Sequence, residues 1–469
     1  MSDTIGQYHQ ALARVQEQLA RAGSDPELLY RKGVLLLGTG LAHAEAGRHQ
    51  EAIASYGQAV EALDAALTAA PDHLPSYHEK AAALLSMAGR LAALGREEEA
   101  ARAYERALPV LDELRRRLPD YFPACSNQGV ALLALGQLAC RQDRLEEAEP
   151  LYRRSVAALE EAVARQSDYL EGHANLASAY KALGHLQART GRGEEACESL
   201  LRAARACEQA ARCSPEAGPA HLERALVLLD LASLHGEAAR FEEALHCYRE
   251  SLASLERVPA HEALGRHHRW MALLGQAGVQ AALGRHAQAA ESASQALAAL
   301  EEALADLPAA TDAGRYRATA FLTLAQAQAG LGQRQEAVGS YWRALAALGP
   351  VLASGTPDPQ AHVARGVALH GIARMQGEMA RPQEALATLE QALAAFREAL
   401  RLDPHLVAAH NALGIALLGR GQLLGRGPLA RQAYQEALDS FEEVLRRQPG
   451  HREALSYQQA ARLALESTP

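Results

Sequence analysis

The stretch Gly47-Arg-His-Gln-Glu-Ala-Ile-Ala-Ser-Tyr-Gly-Gln-Ala59 recurs in close copies along the whole chain. With Ala52 as marker, its counterparts are Ala100, Ala148, Ala196, Ala244, Ala289, Ala337, Ala385 and Ala430, separated by 48 residues six times and by 45 twice. An internal period of this length is the signature of stacked structural units rather than of one folded core. Four residues after the marker an aromatic recurs as Tyr56, Tyr104, Tyr152, Tyr248, Tyr341 and Tyr434, and seven after it a small residue, as at Ala59, Ala107, Ala203, Ala344 and Ala437. Steps of four and seven keep both columns on one face of a helix. Nineteen residues after the marker, Pro71, Pro119, Pro215, Pro308, Pro404 and Pro449 close that helix, because proline disfavours helical geometry in the residue before it. The second helix of each unit is therefore predicted to span about 20 residues.

These columns resemble the tetratricopeptide repeat family, whose second helix carries an alanine, an aromatic four residues on, an alanine at seven and a closing proline. Here the proline stands later than in the family. The small residues Gly33, Ala81, Gly129, Ala177, Ala225, Ala318 and Gly366 likewise lie further before the marker than the family's glycine does. Each helix is thus two turns longer, which stretches the family period of about 34 residues to 48. The resemblance is to a long-helix variant and covers nearly the whole chain. Leu29, Tyr77, Cys125, His173 and His221 stand where the family has its tryptophan. It implies an all-α fold, an α-solenoid superhelix of antiparallel helix pairs whose first helices line the inner surface.

A chain of 469 residues ordinarily suggests about three domains, but repeats pack only on their neighbours and grow as one array. Tyr8 and Ala11 lie 48 residues before Tyr56 and Ala59, so residues 1–24 read as a capping helix, a half-repeat. Residues 25–450 hold nine helix pairs and 451–469 a second capping helix, giving about twenty helices in all. First-type helices such as Gly129-Val-Ala-Leu-Leu-Ala-Leu-Gly136 are apolar or small almost all round and need burial on several sides. Second-type helices open on acids, as at Glu97-Glu-Glu99, which suits the positive end of the helix dipole. Three breaks are expected: a kink at Pro109, an irregular segment around Pro259, and a helix shortened by Pro350 with a long loop at Gly355-Thr-Pro-Asp-Pro359.

Apolar residues make up 49% and aromatics 4%, a composition suited to close helix packing. The net charge is −9 and the pI near 6.1, which excludes the concentrated basic surface of a nucleic-acid binder. The N-terminus shows no leader pattern and the chain no long uncharged apolar run, so neither secretion nor a membrane role is expected, and a cytoplasmic protein is. Six cysteines without Cys-x-x-Cys spacing read as small buried hydrophobes in a reducing compartment.

Catalytic signatures are missing. No Gly-Lys dipeptide exists, hence no P-loop, and neither Gly-x-Ser-x-Gly nor His-Glu-x-x-His occurs. A non-enzymatic chain without cofactor is expected. His235, His246, Cys247, His261, His267 and His268 come closest to a metal site, yet adjacent histidines on a helix diverge by about 100°. Polar edge histidines are the plainer reading, and no metal is expected.

Twenty residues before the marker stand Lys32, Lys80, Arg224, Arg269, Arg317 and Arg365, with Gln128 in the same column. If first helices line the inner face, as the resemblance implies, these six cations face a bound partner and suit an acidic segment. The plainer reading pairs each with a nearby acid such as Glu79 or Glu223. The family's grip on a C-terminal carboxylate, built from Lys and Asn, is not expected, because Val34, Ala82, Val130, Leu226, Val367 and Ile415 occupy its places. The sequence thus points to a scaffold or adaptor that binds a protein or peptide on its inner surface, as a monomer or closed dimer. The alternative is a regulatory, inhibitory or sensor subunit that docks on a separate enzyme.

Overall fold

The computed structural model describes residues 2–214, 218–259, 262–305 and 312–468, with side chains from residue 5 onward. Pro215 and Pro308 of the proline column, and His261, lie outside the described residues. Among those described there are twenty α-helices and no strand, an all-α solenoid.

After α1 (Ser2–Ala22), first-type and second-type helices alternate. Up to the middle of the chain the first type comprises α2 (Pro26–Glu45), α4 (Leu74–Ala93), α6 (Phe122–Arg141), α8 (Leu170–Arg189) and α10 (Gly218–Glu237). The second type comprises α3 (His49–Ala69), α5 (Glu97–Arg117), α7 (Leu145–Arg165) and α9 (Gly193–Cys213). Further on come second-type α11 (Phe241–Leu255), α13 (His286–Ala305), α15 (Arg334–Ala353), α17 (Pro382–Leu402) and α19 (Pro428–Arg447). First-type α12 (Ala263–Ala282), α14 (Ala313–Gly330), α16 (Pro359–Glu378), α18 (Val407–Leu424) and α20 (Arg452–Glu466) stand between and after them.

The chain divides into two compact units, Met1–Leu231 and Ala232–Pro469. In the first, each of α2 to α8 packs on the next helix, and first-type helices also touch one another, α2 on α4, α4 on α6 and α6 on α8. The second repeats this pattern, with α12, α14, α16, α18 and α20 in successive contact. Contacts that skip one helix join first-type helices, so these form the inner layer of each unit and the second-type helices the outer one.

Local chemistry explains the punctuation. The turn inside each pair needs one residue in the left-handed region, five before the marker, to close the backbone back on the first helix. Gly47, Gly95, Gly191, Gly284, Gly332 and Gly425 supply it at φ between 71° and 77°, and Asp143, Ala239 and Ala380 are forced into it at φ 57° to 59°. Between pairs, the residue before the proline is extended: Ala70 at φ −139°, Leu118 at −128° and Asp403 at −135°. That is the geometry proline imposes on its predecessor. Arginines stand at the start of many second-type helices without capping the backbone. The first-turn acids answer them instead, Arg96 with Glu99 at 2.7 Å and Arg144 with Glu147 at 2.7 Å.

The two helices of a pair interlock where glycine meets a large side chain. Gly33 faces Leu63, Gly129 faces Leu159, Gly366 faces Phe396 and Gly414 faces Phe441, the last two with rings 1% and 0% exposed. Further along the same helices, Gly40, Gly136 and Gly421 face the tyrosines of the aromatic column, Tyr56, Tyr152 and Tyr434. Burying each such side chain contributes on the order of 2 kcal/mol.

Of the three expected breaks, the one before Pro259 is present and the shortening by Pro350 is not. The helix α5 runs unbroken through Pro109, and α7 through Pro150. Pro350 does not shorten α15, which continues to Ala353 and has 20 residues. A proline within the last turn removes one backbone bond near an end that is already losing them, so the helix carries on. The curtailed second-type helix is α11, with 15 residues, just before Pro259.

Candidate functional site

The six column cations have different environments. Lys80 on α4 is ion-paired to Asp64 on α3, and Arg317 on α14 holds Glu301 on α13 through two bonds of 2.6 Å. Gln128, in the same column on α6, donates to Asp112 on α5 and accepts from Arg115. In each case the partner lies sixteen residues earlier, on the preceding outer helix, rather than at Glu79 or Glu223. Glu223 instead binds Lys181. The Glu301 carboxyl sits below its ordinary pKa, chiefly because Arg317 bonds it. Lys32 and Arg224 are half-buried, whereas Arg269 and Arg365 are exposed and make no ion pair with a described residue. The column is thus part inter-repeat tie, part open charge.

Among the described residues no three metal-ligating side chains converge. His267 packs edge-on against Trp270, whose indole N–H donates to it at 3.5 Å, and burial lowers its pKa, with His268 adding to the effect. His268 bonds the Leu264 carbonyl at 2.7 Å. All six cysteines are free thiols, and burial pushes that of Cys207 up to about 12.

A sizeable concave feature of the second unit lies elsewhere. A cavity of about 1040 Å³ opens along the inner helices α14, α16, α18 and the start of α20. Its apolar side is built from Val363, Val367, Val407, Ala412 and Ile415. Val367 and Ile415 stand where the family's carboxylate grip has polar side chains, so this floor is greasy where that grip is charged. None of the six column cations lines it. A second cavity of about 390 Å³ shares His370, Arg374, Glu378 and Ile415 with the first and extends the depression between α16 and α18.

Polar groups sit along its edges. His370 is held neutral, its pKa lowered to about 4 by burial and then by Arg374. Glu378 is balanced by Arg334 at 3.0 Å. Asn411 on α18 donates to Glu453 on α20 at 2.8 Å, while its side-chain oxygen is buried and accepts nothing from the described residues.

Sequence reading found the cation column because charge recurs in register. It did not find the groove, whose floor of Val, Ala and Ile is indistinguishable in sequence from buried core. Asn411, one register after Val363, gave no distinct signal, because the same helix also carries His410, Arg420 and Gln422.

A helical repeat array with a concave apolar depression is a class of protein in itself, the α-solenoid. A sequence model of the tetratricopeptide repeat family matches residues 377–440, across all of α17 and α18 and the first part of α19. That segment matches the tetratricopeptide repeat family, and the described residues fold as an all-α helical solenoid. Among solved structures, the apo form of RapI is 12% identical, with 88% of this chain and 98% of that one covered and a TM-score of 0.52. A tetratricopeptide repeat protein from Parabacteroides merdae is 15% identical over 73% of this chain and 98% of that one, with a TM-score of 0.36. At these identities the RapI likeness is one of fold. No curated protein sequence matches the chain.

Proposed function

We propose that this chain is a non-enzymatic scaffold that binds a segment of another protein, and that the groove of the second unit holds that segment. The observation that carries this reading is the 1040 Å³ depression with an apolar floor and polar edges, the build of a ligand site rather than of a packing defect. A stack of helices presents such a surface already ordered, so little is lost in ordering the scaffold on binding. Arg269 and Arg365 in the second unit, and separately Lys32 in the first, remain proposed contacts for acidic stretches of a partner, outside the groove. The ties of Lys80 and Arg317 favour a structural role for those two. In this reading α1 and α20 cover the ends of the array. No described helix is long and apolar enough to cross a membrane, and the free thiols suit the cytoplasm.

A photo-crosslinking side chain at Val367 tests the reading against one at Ala394, on the outer face of α17. Adducts formed at Val367 and not at Ala394 are expected in the native host. Equal adducts at both positions, or adducts only at Ala394, contradict it.

A further inference from the structure

We infer that the segment held in this groove presents a basic side chain, Lys or Arg, next to aliphatic ones, and that Glu453, oriented by Asn411, receives it. The inference rests on the reading of the groove as the binding site and adds the chemistry of its occupant.

One open acceptor, the Glu453 carboxylate, stands at one end of the groove. Asn411 Nδ2 donates to Glu453 Oε2 at 2.8 Å and so fixes the carboxylate in place. Glu453 is exposed, and no cation among the described residues pairs with it. An exposed carboxylate held in place by an amide N–H matches an ammonium or guanidinium, which carries only donors. The carboxylate's full charge outweighs the fractional positive charge of the α18 and α20 N-termini near which it sits.

The groove's own cation is too far away to do this work. Arg374 follows Val363 by eleven residues on α16, and Val363 is in register with Asn411, which puts Arg374 about 16 Å further along the helix axis. There it faces Tyr341, beside the Arg334–Glu378 pair. His370, between the two ends, is neutral at neutral pH and adds no charge. Alongside the acidic end run Val363, Val407 and Ala412, so the cation that docks there arrives on an aliphatic neighbour. A partner terminating in a bare carboxylate would meet Glu453 and be repelled.

The test pans the full chain with a displayed library of random short peptides and remeasures the recovered peptides by fluorescence anisotropy. Wild type is compared with Glu453→Gln, Glu453→Lys and Val367→Glu, each checked by circular dichroism. Recovered peptides are expected to carry Lys or Arg beside Val, Ile or Leu. Their affinity should fall roughly tenfold in E453Q and further in E453K, with a salt dependence lost in both. Peptides without a basic residue, or with affinity unchanged in E453Q but lost in V367E, overturn the inference and leave the groove reading standing. Affinity indifferent to V367E, or a library that yields no binder, overturns both.

Discussion

A Cβ placed on Gly414 would stand 2.7 Å from Cε1 of Phe441, so the side chain that glycine lacks is the space the ring fills. The same relationship joins Gly366 to Phe396 in the preceding pair. Gly414→Ala is therefore expected to destabilise the chain by about 1–3 kcal/mol, the cost of overpacking a rigid core. Adding Phe441→Leu should recover part of that loss. The check is a double-mutant cycle by urea unfolding, in which strict additivity contradicts the interlock.

Ala380 is in the left-handed turn position that glycine fills in six other units, at φ 59°. An L-residue there costs roughly 1–2 kcal/mol, partly offset by the unfolded-state freedom that glycine brings. Ala380→Gly should stabilise the second unit by about 0.5–1 kcal/mol. A lowered thermal midpoint would contradict the assignment.

In the first unit, Glu149 is bonded by Arg192 at 2.8 Å and also by Arg153 at 2.9 Å, which holds its pKa down to about 2 from 4.5. Because the folded value is the lower one, the stabilisation is present above pH 4.5 and is lost as pH falls toward 2. Allowing for screening by water, it amounts to about 1 kcal/mol. Glu149→Gln should remove that share of the pH dependence between those limits. A pH–stability curve parallel to wild type would speak against the tie.

Arg317 and Arg365 occupy one column and make different predictions. Arg317→Ala breaks the tie to Glu301 and should cost about 0.5 kcal/mol, as exposed pairs do. Arg365→Glu should leave stability within experimental error and weaken, in a salt-dependent way, any partner that reaches the open column. Unchanged binding would mark Arg365 as a solvated edge.

The architecture was legible because its determinants are local. A marker alanine, a tyrosine one turn on and a proline at the end each act within a few residues of themselves, and the spacing repeats them. Proline position was read too strictly at Pro350, which lies inside a helix that runs on to Ala353. The glycine slots escaped notice because Gly366 and Phe396 meet only once two helices pack. The groove escaped for a similar reason. Val367 and Ile415 have the same hydrophobicity whether they face a core or an open cavity, and only the placement of α16 beside α18 tells which.

The claim on which the functional account stands is that partners engage the inner layer of the second unit. Hydrogen–deuterium exchange of the full chain, with and without a peptide recovered by panning, tests it most directly. Slowed exchange confined to α16, α18 and the start of α20 is the predicted result. Protection on the outer helices α15, α17 and α19 with the inner helices unchanged would contradict it.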